Sequence, residues 1–132
     1  MILIDSAFWI ALRDRRDRNH QRASELIREI LGNRWPIVIT DFVFAETHAY
    51  FVRSIPLRKQ VIRDLQENPV VRTEPIEPAD RQRALEFLSE YDDKDWSYCD
   101  ALSFAVIERL GIRVAASFDH HFDQPGTFEV LK

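Results

Sequence analysis

Alternation constrains this chain most. Short apolar runs that suit buried strands alternate with longer segments whose apolar residues recur at helical spacing. Met1 to Ile4 is the first run. Ser6 caps a helix through Leu12, which leads into a charged run from Arg13 to Arg18. Ala23, Leu26, Ile27, Ile30 and Leu31 share one face of a helix from Asn19 to Leu31, stopped by Gly32-Asn33. Pro36 introduces a second strand, Ile37 to Ile39. Thr40 or Asp41 caps the next helix, to about Arg53. Pro56 opens another, with Leu57, Val61, Ile62 and Leu65 on its stripe, ended at Asn68-Pro69. Val70 to Thr73 is a third strand. A helix from Pro78 or Ala79 ends near Tyr91. Ser97 caps a helix from Tyr98 to Leu110 that Gly111 ends, and Arg113 to Ala116 and Phe128 to Leu131 supply the last two strands. This β-α-β order predicts an α/β fold, a parallel sheet covered by helices. In such sheets ligands bind beyond the carboxyl ends of the strands, where the strand order reverses.

The chain has 132 residues, 45% of them hydrophobic, enough for one core and one domain spanning 1–132. No repeat or flexible linker interrupts it. The longest apolar run, Ala7 to Leu12, is six residues, against the ~20 that cross a bilayer. Asp5 breaks any apolar leader at once. A single cysteine, Cys99, leaves no internal disulfide and no multi-cysteine metal site. A soluble, cytoplasmic protein is expected. Three scattered glycines exclude the dinucleotide fingerprint and the phosphate-binding loop, and no Gly-x-Ser-x-Gly element supports acyl chemistry.

Four acids fall where the sheet's carboxyl edge is expected. Asp5 follows the first strand and Asp119 the fourth. Glu46 lies a turn and a half into the helix after the second strand, and Asp100 in the first turn of the helix before the fourth. Each is set in apolar sequence, with no lysine or arginine beside it. Singly, each has an ordinary reading as a cap, a turn residue or half of a distant ion pair. Together they would repel one another, and a divalent cation resolves that repulsion. All-oxygen ligation favours magnesium or manganese over zinc. Such ions activate water and offset charge on a phosphodiester.

These stretches resemble the PIN domain, in particular the single-domain VapC-type toxin ribonucleases. The residues that carry the likeness are Ile2-Leu3-Ile4-Asp5-Ser6, Asn19-His20 before the helix with Ala23, and Thr40-Asp41-Phe42-Val43-Phe44-Ala45-Glu46. The longest match is Asp93 to Phe104, continuing through Gly111-Ile112 to Ser117-Phe118-Asp119-His120-His121-Phe122. The resemblance covers nearly the whole chain and implies strand order 3-2-1-4-5. It also implies that Asp5, Glu46 and Asp100 bind Mg2+ or Mn2+, with Asp119 completing the pocket directly or through water. Ser6, Ser97 and Ser117 would orient ligands or water. It further implies an RNA substrate, a homodimer and a cognate antitoxin whose tail enters the active-site groove. Two departures stand out: Cys99 and Ser117 occupy positions where the family often has Thr.

Other readings remain. Ile-Leu-Ile-Asp at the start suits a HAD-like aspartyl phosphohydrolase, but position 7 is Ala where that family has its second Asp. A receiver domain needs a late lysine, and only Lys59, Lys94 and Lys132 exist. A housekeeping RNA-processing nuclease and an inactive RNA-binding scaffold on the same fold are further alternatives. His120-His121 lacks a third ligand at usable spacing, so His121 is expected to pack or hydrogen-bond near its loop. Asp95 and Asp123 are possible extra acids. Phe8, Trp9, Phe42, Phe44, Tyr50 and Phe51 are expected mostly in the core, with some free to line a partner surface.

Charge first counts against nucleic acid: 22 acidic against 18 basic residues, net −4. Setting aside the four site acids leaves 18 against 18. Fifteen of the basic residues are arginine, the better phosphate fork. Arg13, Arg15, Arg16 and Arg18, and a second group of Arg53, Arg58, Lys59 and Arg63, are candidate backbone contacts.

Overall fold

A computed structural model describes residues Met1–Lys132. The strands are β1 (Ile2–Ile4), β2 (Ile37–Ile39), β3 (Val71–Thr73), β4 (Val114–Ala116) and β5 (Glu129–Leu131). The helices are α1 (Ser6–Arg13), α2 (His20–Gly32), α3 (Asp41–Tyr50), α4 (Ile55–Leu65), α5 (Pro78–Glu90) and α6 (Tyr98–Leu110). All pairings are parallel and the order is β3-β2-β1-β4-β5, as the resemblance implied. Ile2, Leu3 and Ile4 pair with Val114, Ala115 and Ala116, so the ends of β1 and β4 are level.

Strand side chains alternate between faces, and both faces are covered. Ile2, Ile4, Ile37 and Ile39 pack with Phe8, Trp9, Leu26, Ile30, Val61 and Leu65 from α1, α2 and α4. Leu3, Val38 and Ala115 pack on the other face with Phe104, Val106 and Ile107 of α6. Burial on both faces is why the strands read as unbroken apolar runs. Fully burying side chains of this size contributes about 1.5–3 kcal/mol each.

The structure corrects several local expectations. Asp5, not Ser6, caps α1: its backbone is extended and its carboxylate accepts from Ala7 N–H at 3.4 Å. Ser6 is the first helical residue and its hydroxyl is free for another use. α3 ends at Tyr50 rather than near Arg53, and Ser54 caps α4 with Pro56 in its first turn. Of the aromatic residues expected inside, Phe8, Trp9 and Phe51 are buried, whereas Tyr50 is 56% exposed and donates to Asp14 Oδ2 at 2.7 Å. A short 3-10 helix, His120–Asp123, capped by Asp119, follows β4 and was not foreseen. Gly111 ends α6 in the left-handed region at φ 64°, where a side chain would be strained. No helix is long and apolar enough to cross a membrane.

Candidate metal centre

β1 and β4 meet at the point where the strand order reverses, and both end in polar residues. Asp5 is 2% exposed and Ser117 fully buried. Ser117 Oγ donates to Asp5 Oδ2 at 3.0 Å and accepts from Asp119 N–H at 3.0 Å. Burial pushes the Asp5 carboxyl up to about 7. Hydrogen bonds from Ser117 and the Ser6 backbone oppose the shift, and the charges of Asp100 and Glu46 add to it.

Glu46 stands on α3 at the rim of this site and is exposed. Its Oε1 accepts from Ser6 Oγ at 2.9 Å and from Cys99 Sγ at 3.1 Å. Ser6 therefore orients a site acid rather than capping its helix. Burial and the Glu46 carboxylate push the Cys99 thiol far above its ordinary range, so it stays protonated as a donor.

Asp100 is held by the first turn of α6. Its carboxylate accepts from Ser97 N–H at 3.0 Å while Ser97 Oγ accepts from Asp100 N–H at 3.0 Å, a reciprocal capping box. It is 6% exposed. Burial raises its pKa; the two Ser97 hydrogen bonds lower it, the Asp119 charge raises it and His121 lowers it, leaving it raised.

Asp119 and His121 complete the opening. Asp119 Oδ1 accepts from His121 N–H at 2.9 Å. The His121 ring lies between three acids: Nε2 is 2.9 Å from Asp95 Oδ1, and Nδ1 is 3.2 Å from both Asp100 Oδ2 and Asp119 Oδ1. Nδ1 is buried, yet aligned with neither oxygen as a hydrogen bond. The sequence expectation of a packing or loop-bonding histidine holds only for Nε2. Burial would lower the His121 pKa, but the charges of Asp119, Asp100 and Asp95 and the Asp95 hydrogen bond raise it. Trp96 fixes the two segments together: it packs edge-on against Phe104, and its Nε1 donates to Gln124 Oε1 at 2.7 Å, just past the 3-10 helix.

All four predicted acids thus converge, and no lysine or arginine lies within ion-pair distance of any of them; only histidines do. The other acids are arranged differently. Asp123 pairs with Lys132 and Asp80 with Arg109. Asp95 touches the site only through His121. A half-buried carboxylate group with no lysine or arginine partner, and an unpartnered ring nitrogen beside it, suits a divalent cation.

The basic residues divide. Arg13 is consumed by a forked pair with Asp64. Asp14 and Asp17 accept from the N–H groups of Arg16 and Asn19, so the charged run is an ordered turn. Arg15 and Arg16 remain exposed and line a depression with Tyr50, Phe51 and Leu57. Tyr50 lies one turn beyond Glu46 on α3, which sets this depression next to the acidic site.

The PIN domain model matches residues 2–127. The 23S rRNA-specific endonuclease VapC20 of Mycobacterium tuberculosis is 33% identical over 132 residues, with 98% of each chain covered. The crystal structure of M. tuberculosis VapC20, described as a sarcin-ricin loop cleaving toxin, superposes with a TM-score of 0.85 at 28% identity over 98% of both chains. The structure of FitAcB from Neisseria gonorrhoeae has a TM-score of 0.72 at 13% identity, covers 100% of this chain and 97% of that one, and bears on the fold alone. The family match runs from β1 through all four acids to just short of β5, and the chain belongs to the PIN domain family.

Proposed function

We propose that the chain is a metal-dependent endoribonuclease in which Asp5, Glu46, Asp100 and Asp119 hold Mg2+ or Mn2+. The observation that carries this reading is the convergence of four carboxylates, two of them buried, with no lysine or arginine paired to any of them. VapC20, similar along 98% of its length, is named for cleaving 23S rRNA. The 23S sarcin-ricin loop is therefore the first substrate to try.

Asp5 and Asp100 are the buried anchors, each fixed by a serine hydroxyl or backbone N–H that sets its carboxylate orientation. Glu46 and Asp119 sit at the rim, Asp119 with its side chain 32% exposed, and face the side from which a phosphodiester and water enter. Held by these four acids, a divalent ion would lower the pKa of a water and offset charge on the phosphate. Ser6 and Cys99 hold Glu46, and Ser117 ties Asp5 to the Asp119 backbone, so the acids are oriented before substrate arrives. Arg15 and Arg16, in the neighbouring depression, supply phosphate contacts along the RNA backbone. No protein nucleophile takes part.

VapC20 is described as a toxin. By that likeness this chain is the toxin of a toxin–antitoxin pair acting in the cytoplasm, with a cognate antitoxin as partner. Exposed Tyr50, Val52 and Ile55 at the α3–α4 corner supply an apolar face for a homodimer. Purified protein incubated with a sarcin-ricin loop RNA is expected to cleave it with Mg2+ or Mn2+ and not with EDTA. Asp5→Ala and Asp100→Asn are expected to remove cleavage while leaving the fold. Cleavage by both variants at the wild-type rate would overturn the reading.

A further inference from the structure

The carboxylate set does not account for His121. Its Nε2 lies 2.9 Å from Asp95 Oδ1. An ionised carboxylate only accepts, so Nε2 carries the ring hydrogen. In neutral imidazole Nδ1 is then a bare lone pair, and it lies 3.2 Å from both Asp100 Oδ2 and Asp119 Oδ1. Three electron-rich atoms this close, with Nδ1 buried and unpartnered, repel unless a cation lies among them.

The spacing matches such an ion. In an octahedron with bonds of about 2.1 Å, neighbouring donors are about 3.0 Å apart. The donor atoms of Asp100, Asp119 and His121 all lie within 4.8 Å of one another. Asp95 completes a carboxylate–histidine–metal arrangement, the usual way of fixing which ring nitrogen is free to coordinate. A doubly protonated ring bridging the acids would instead aim its Nδ1–H at one oxygen, and it aims at neither. The second grouping of Asp95, His120 and His121 is weaker, since His120 and Asp95 are mostly exposed.

We propose that His121 is a nitrogen ligand of the metal centre, bound through Nδ1 beside Asp100 and Asp119, and that it biases the site toward Mn2+ over Mg2+. The proposal rests on reading the acidic site as a metal centre. Imidazole is a ligand of transition ions far more than of Mg2+, so a mixed nitrogen–oxygen set separates two ions that an all-carboxylate set treats alike.

The test loads the full chain, stripped of metal, with Mn2+ and records its electron spin-echo modulation. A directly bound imidazole gives 14N modulation, which labelling with 15N-histidine converts to the 15N pattern. Of the four histidines, His20 contacts the Ala11 carbonyl and His48 lies against Phe44, leaving His120 and His121 at the site. The modulation is expected to survive His120→Gln and to vanish in His121→Gln. The wild-type preference for Mn2+ over Mg2+ by calorimetry is expected to fall about tenfold or more in His121→Gln. Should His121→Gln fail to fold, the 15N label combined with His120→Gln still decides the assignment. Bound Mn2+ without histidine modulation overturns the ligand assignment and leaves the metal centre standing. Absence of any Mn2+ binding by folded protein overturns both.

Discussion

The Ser117 hydroxyl donates to Asp5 Oδ2 at 3.0 Å, joining residues 112 positions apart in the chain. The same oxygen accepts the Asp119 N–H, so one buried hydroxyl ties the acids of β1 and β4 to a shared geometry. Its hydrogen bond also works against the raised pKa of Asp5. Ser117→Ala is therefore expected to raise that pKa further and weaken Mn2+ binding by about 10–100-fold, read by calorimetry at neutral pH. Ser117→Thr, which keeps the donor, is expected to bind close to wild type. Equal affinity in the Ala variant would show that the hydroxyl orients nothing.

Stability without metal is expected to fall as pH rises. Folded Asp5 keeps its proton to about 7, whereas an unfolded aspartate releases it near 3.8. Between those values the folded chain binds the extra proton, so stability drops from about pH 4 to about pH 7 and levels off above. The raised pKa of His121 acts in the same direction, its contribution being lost as pH rises. The Asp5 contribution is on the order of 4 kcal/mol. Melting curves in EDTA should give a lower Tm at pH 8 than at pH 5, with added Mn2+ restoring most of the difference. A Tm that rises across this range would contradict the burial of an uncompensated Asp5.

Cys99 donates a hydrogen bond to Glu46, a role that needs the thiol protonated. Its raised pKa predicts alkylation by iodoacetamide at pH 8 far slower than for a free thiol. Cys99→Ser keeps a donor in place and is expected to cleave RNA within about threefold of wild type. Loss of cleavage in that variant would return the thiol to the chemistry.

Asp80 provides the contrast of an acid whose role is structural. It is 2% exposed and takes a forked pair from Arg109, at 2.8 and 3.0 Å, that locks α5 to α6. Burial works against its charge, but Arg109 and the Glu77 N–H outweigh it and hold its pKa below the ordinary value. Asp80→Ala is expected to cost about 2 kcal/mol in denaturant unfolding, less than a fully buried pair, because Arg109 is partly exposed and keeps Glu74 and Glu77. Cleavage well below the melting temperature should be unchanged.

The fold was legible because each element carries its own local signal. β1 and β2 are unbroken apolar triplets, Thr40 and Ser97 cap as their chemistry predicts, and Gly111 ends α6 as only glycine does easily. The four acids were legible because the topology sends strand ends to one edge. What sequence hides is tertiary. Ser6 looked like a cap, but Asp5 before it takes that role and frees the Ser6 hydroxyl for a glutamate 40 residues on. His121 looked like a loop residue because its partners Asp95 and Asp100 precede it by 26 and 21 positions and meet it only when α6 packs beside the 3-10 helix. An acid-flanked histidine two residues past Asp119 was the available signal, and linear ligand spacing could not weigh it.

Metal-dependent RNA cleavage tests the central claim most directly. The measurement is the single-turnover rate on a sarcin-ricin loop RNA, comparing wild type with Asp100→Asn at matched Mn2+. Wild type should cleave at one internal phosphodiester only when the metal is present, and the variant, folded by circular dichroism, should be slower by about a thousandfold or more. Equal rates for the two proteins, or cleavage undiminished in EDTA, would contradict the account.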